Sequence, residues 1–126
     1  MSARAFAFAC IAASALASPA WACGACAEDK IAVTYDHAVV AHAAERHHVV
    51  VFAAIEGRGD AKALARTVRT VALRTPGVDR ESVRTAADPA AVSFALDPRV
   101  AAPEATLMAL EHALPGLKLP VLRIVR

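Results

Sequence analysis

The run "VVVFAAI" at positions 49–55 constrains this chain more than any other stretch. It is apolar without interruption and opens with β-branched and aromatic residues. A strand exposed on one face alternates apolar and polar residues, so a short run with no alternation fits a strand buried on both faces. Val49, Val51, Ala53 and Ile55 would then point to one side, with Val50, Phe52 and Ala54 pointing to the other. Such a strand needs two covering layers.

The residues after the run supply one layer. Beyond the turn "EGRGD", Asp60 is placed to cap a helix in which Leu64, Val68, Val71 and Ala72 share a face, until Pro76-Gly77 stops it. A short strand is expected over 83–86, a turn at Asp88-Pro89, and a strand over 91–96 in which Val92, Phe94 and Leu96 alternate with Ser93 and Ala95. A helix starting near Pro103 presents Leu107, Leu110 and Leu114 inward and ends at Pro115-Gly116; a last strand occupies 119–125. The order strand, helix, strand, strand, helix, strand predicts an α+β, ferredoxin-like βαββαβ sandwich over 48–126. Its first and third strands are central, and Pro120 suits the last strand to an edge.

The second layer must come from upstream. From 29 to 46 the chain lacks Gly and Pro, and Ile31, Tyr35, Ala38, Val39 and His42 recur at helical spacing. One additional N-terminal helix is therefore expected, lying on the second face; a homodimer is the other way to cover it. If that helix ran straight and antiparallel to the first strand, the two elements would be of similar length. Residues 23–26 would then return to the end of the sheet holding the 56–60 loop.

The first 22 residues read as a signal peptide: Arg4, an apolar stretch over 5–17 too short to span a bilayer, and the small-x-small site Ala20-Trp21-Ala22. The expected location is the periplasm, with a mature chain of one domain beginning at Cys23; lipidation of Cys23 is less favoured because Trp21 stands where a small residue is wanted. No later stretch reads as a transmembrane segment. The basic residues left after Arg4 are scattered and nearly balanced by 12 acidic ones, which disfavours nucleic-acid binding.

"VVVFAAIEGRGDAKALARTVRTVALRTPGV" and "VSFALDPRVAAPEATLMALEHA" together resemble a heavy-metal-associated (HMA) domain, the small module of copper chaperones and metal-pumping ATPases. The signal peptide adds a similarity to periplasmic members. The resemblance implies a ferredoxin-like fold, a soft-metal cargo and a metal-transport or metal-accepting partner protein. The family carries Met-x-Cys-x-x-Cys between its first strand and helix. Aligned on Gly57, this chain has Arg58, Asp60 and Ala63 in those places, so no thiolate remains there.

The cysteines lie elsewhere, as Cys23-Gly24-Ala25-Cys26 directly after the cleavage site. Two thiolates at this spacing suit Cu(I), with Zn(II) or Hg(II) next, and the free amine of Cys23 is a further donor. A helix beginning after Cys26 would favour the thiolate through its dipole. Two other readings stay open: an inert disulfide on a ferredoxin-like protein-interaction module, or a thiol–disulfide partner in metal-centre assembly. His37 and His42 point about 140° apart on a helix, and His47-His48 reads as a helix end, so the histidines are expected to be solvated or capping. Met108, beside Leu107 and Leu110, is expected to fill the core. With no catalytic triad, phosphate-cradling glycine loop or carboxylate pair, the chain reads as a binding protein, not an enzyme.

Overall fold

β1 (Val49–Ala54) is buried at every residue, and the fold is arranged around it. The computed structural model describes residues 26–126; the expected signal peptide and Cys23 lie outside the described residues. β1 pairs with β3 (Ala90–Leu96) in unbroken antiparallel register from Val49↔Leu96 to Ala54↔Ala91. On its other side it pairs with β4 (Val121–Val125), with a bulge between Phe52 and Ala53. β2 (Arg84–Ala87) pairs with the outer side of β3 across the Asp88-Pro89 turn. The sheet order is β2-β3-β1-β4, all antiparallel, so the first and third strands are central.

One face is covered as the sequence predicts. α3 (Ala61–Ala72) starts where the Asp60 carboxylate accepts the Ala63 N–H at 3.0 Å, and α4 (Pro103–Ala113) has proline in its first turn. Ala65, Val68 and Ala72 of α3, with Leu107 and Leu110 of α4, pack on Val51, Ala53, Val92, Phe94 and Leu96. Gly77, at φ +85°, lets the chain turn after α3, where a side chain would press on Leu96 and Val100.

The second face is covered by two short helices instead of one. α1 (Ala27–Ala32) ends at Val33, and α2 (His37–Glu45) begins after Asp36, whose side chain accepts the Ala38 and Val39 N–H groups. The β-branched pair Val33-Thr34 weakens helix continuation, and a carboxylate able to cap starts a new helix at lower cost than it continues the old one. The same carboxylate holds the Arg84 guanidinium through two bonds of 3.0 and 3.2 Å.

This break changes where the chain runs. Glu28 pairs with Arg123 of β4 at 2.7 Å, the Thr34 carbonyl accepts the Ser93 hydroxyl of β3 at 3.0 Å, and Asp36 pairs with Arg84 of β2. Arg123, Phe52, Ser93 and Arg84 are register partners in one row across the sheet. Residues 28–36 therefore cross the strands from the β4 edge to the β2 edge, and do not run antiparallel along β1 toward the 56–60 loop. Tyr35 lies nearly parallel to the Phe52 ring, centroids 6.4 Å apart. Below them Ile31 and Ala43 pack on Val50, Phe52 and Ala95, so this layer comes from within the chain.

Phe52→Ala should lower unfolding stability by about 3–5 kcal/mol, because the ring is fully buried between the sheet and the α1–α2 layer. Urea unfolding measures it; a loss below about 1 kcal/mol would mean that the layer is not seated on the sheet.

Candidate functional site

Cys26 occupies the position before the first residue of α1, with an exposed side chain whose Sγ donates to the Asp29 carboxylate at 3.3 Å. A thiol proton is what a metal ion replaces, and a carboxylate beside it favours the cation that takes its place. The Glu28–Arg123 pair and buried Ile31 fix α1 to the sheet two and five residues further on, so Cys26 stands at the β4 side of the second face. Cys23 lies outside the described residues. Among the described residues, no three His, Cys, Asp or Glu side chains converge as a metal-binding group.

The β1–α3 loop is occupied with structural tasks. Glu56 exchanges both backbone hydrogen bonds with Lys118, at 2.9 and 2.8 Å. A Cβ at Gly57 would collide with Leu117, and Gly59 adopts φ +112°. Asp60 is spent on its helix cap.

The histidines divide into two kinds. His37 stands 3.5 Å from the Tyr35 hydroxyl, and His42 lies between Glu45 and Arg46 at 3.9 and 3.5 Å; both are exposed and do not converge. His47 takes φ +56° in the turn that ends α2, where the His48 N–H reaches the Ala43 carbonyl at 2.8 Å. His48 is not solvated: its side chain is only 12% exposed, Nε2 faces Asp97 at 3.8 Å, and Nδ1 has no hydrogen-bond partner among the described residues. Its partner Asp97 is remote in the chain, which is why the sequence hides it.

Asp97 is the electrostatic anchor of that end of the molecule. Its Oδ1 accepts the Arg99 backbone N–H and Nε at 2.9 and 3.0 Å, and Oδ2 accepts Nη2 at 3.0 Å. The Arg99 side chain and backbone bonds, with His48 adding a smaller attraction, lower the carboxyl pKa to about 2. Arg46 and Asp79 form a looser pair beside it, at 3.8 Å, on a recess shared with His48 and Asp97. This network fastens the end of α2 to the loop after β3.

Met108 corrects a second expectation. It is 70% exposed, and it lines a surface recess with Glu111, His112 and Lys118. Leu107 and Leu110 are buried as expected, and one step of about 100° from Leu107 turns Met108 outward.

Compared with protein-family models, curated proteins and solved structures, the chain gives no match.

Ionised Asp97 stabilises the fold above its unfolded value of 3.8, and that contribution is lost as pH falls toward about 2. Asp97→Asn should therefore be less stable than the native chain in urea at pH 6, and the gap should close between pH 3.8 and about 2. A gap independent of pH would mean that the side chain acts through packing alone.

Proposed function

We propose that this chain is an exported, ferredoxin-like protein of heavy-metal-associated type that binds a soft metal ion through Cys23 and Cys26. Copper(I) is the first candidate, ahead of Zn(II) and Hg(II), because two thiolates satisfy an ion that accepts two soft donors. The sheet order β2-β3-β1-β4, with α3 and α4 on one face, supports the fold reading.

The observation that carries the metal reading is the placement of Cys26. Its thiol is exposed, directed at a carboxylate, and attached to a helix that is itself clamped to the sheet. Exposure suits hand-off: an incoming thiolate or imidazole from a metal-transport or metal-accepting protein can reach the ion and displace one cysteine at a time. No covalent bond of a substrate is made or broken. In the periplasm the same pair is exposed to oxidation, so the metal-binding form is the dithiol.

The β1–α3 loop supports a second reading, since its residues are committed to pairing, turning and capping. On that reading the fold serves protein contacts and the cysteines form a disulfide.

Anaerobic Cu(I) titration against a chromogenic chelator separates the two. In a Cys10→Ser background the reduced chain should take up one Cu(I) more than the Cys23→Ser/Cys26→Ser variant, and the variant should keep its circular dichroism. Equal uptake in both chains would remove the cysteine site and leave the interaction module.

A further inference from the structure

α4 carries donor atoms that neither the core nor the cysteine site uses. Its inward side consists of Pro103, Thr106, Leu107 and Leu110, and its outward side presents Met108, Glu111 and His112 within one turn. Met108 is the most exposed of the large hydrophobic side chains among the described residues. Methionine is ordinarily a buried residue. Here its thioether contributes little to the core and faces the recess of about 260 Å³ lined by Met108, Glu111, His112 and Lys118.

His112 is four residues beyond Met108. On a helix this puts their Cβ atoms about 5–6 Å apart on the same face. His112 is exposed and has no hydrogen bond or ion pair to another described residue. The turn that carries both is held in place: Glu111 Oε1 accepts the Leu119 N–H at 2.7 Å, and Lys118 is paired by backbone to Glu56. Two side chains on a fixed turn, one soft sulfur and one imidazole nitrogen, can close on a single ion by rotamer adjustment alone.

We propose that Met108 and His112 form a second soft-metal site, for Cu(I) or a monovalent ion of similar softness, independent of Cys23 and Cys26. Thioether and imidazole are both neutral donors, and the thioether selects the soft, low-charge ion. The Lys118 ammonium on the same recess works against hard divalent cations, whose binding depends on charge more than on softness. Glu111 keeps one oxygen on the Leu119 N–H, leaving its other oxygen as the counter-charge beside the site. The backbone pairing of Lys118 with Glu56 puts the recess at the end of the sheet where the β1–α3 loop lies. The amphipathic turn thus brings the soft donors to that end, although the loop itself has none.

The test uses Ag(I), a redox-inert stand-in for Cu(I), on the full chain with Cys10, Cys23 and Cys26 replaced by Ser. Failure here is then separate from failure of the cysteine site. The unprocessed chain, with the expected signal peptide retained, has two methionines, Met1 and Met108, hence two methyl resonances, assigned with Met108→Leu. The Met108 methyl should shift and saturate at one equivalent of Ag(I), before the Met1 methyl moves. His112→Ala should weaken that binding by about 10–100-fold, at least what loss of an outer-shell partner produces elsewhere. Both side chains are exposed, so the variants should keep the native circular dichroism. Three results would overturn the site: both methyls titrating together, a Met108 curve unchanged by His112→Ala, or displacement of Ag(I) by equimolar Zn(II).

Discussion

The burial of β1 on both faces is the constraint on which the rest of the structure depends. A strand with no polar side chain cannot leave either face to water, and each crossover helix of the sheet lies on the same side. The second face must be covered by something outside the strand–helix–strand repeats, and here that is the chain before β1. The covering segment meets all four strands along one register row: an ion pair at β4, a ring stacked on Phe52 at β1, a hydroxyl–carbonyl bond at β3 and a guanidinium pair at β2. Apolar burial supplies the driving force, and these directional contacts fix the direction in which the segment crosses. Ser93, a hydroxyl otherwise buried in an apolar sheet, is satisfied only because Thr34 lies over it.

That crossing separates the chemistry of the molecule into distinct regions. Cys26 is held at the β4 side, where α1 begins; the His48–Asp97–Arg99 group closes the end where β1 starts; and Met108 with His112 lies near the opposite end, beside the pairing of Glu56 with Lys118. The edge strand β4 is short, bulged and carries Arg123 into an ion pair, features that discourage edge-to-edge association. Metal transfer, on the proposed reading, would therefore use side-chain donors at the periphery and leave the sheet undisturbed.

Local pattern is enough for much of this architecture. The unbroken run at β1, the Asp60 cap, the alternation in β3 and the Leu107/Leu110/Leu114 spacing are each set by neighbours within a few residues, and they reappear as elements and buried side chains. The helix break is not legible in the same way. Asp36 sits inside an apolar spacing that suits one helix, and it acts as a cap because Arg84, distant in sequence, holds its carboxylate at the β2 edge. Tyr35, Ala38 and His42, part of that spacing, are exposed, while Ala43 is buried. Met108 escapes a sequence reading for a different reason: its leucine neighbours suggest the core, but angular position, not adjacency, decides burial on a helix. His48 is the one histidine that is not exposed, and the carboxylate it faces, Asp97, is remote in the chain.

On the proposed function, open coordination would come from the exposure of Cys26, Met108 and His112. Sites that hold metal for structure enclose it with a full set of ligands, whereas a site that must give metal away needs a position where the acceptor can bind before the donor lets go. Cys26 before α1 with Cys23, and a thioether–imidazole pair on one helical turn, would each provide two donors and leave the remaining positions to solvent or to a partner. Support would keep such donors from being merely weak: Ile31, buried on the sheet, would lower the cost of ordering Cys26 around an ion, and the Glu111–Leu119 hydrogen bond would do so for Met108 and His112. The fold would thus contribute preorganisation at its periphery, and the sheet that makes this preorganisation durable is the one that the two-sided burial of β1 requires.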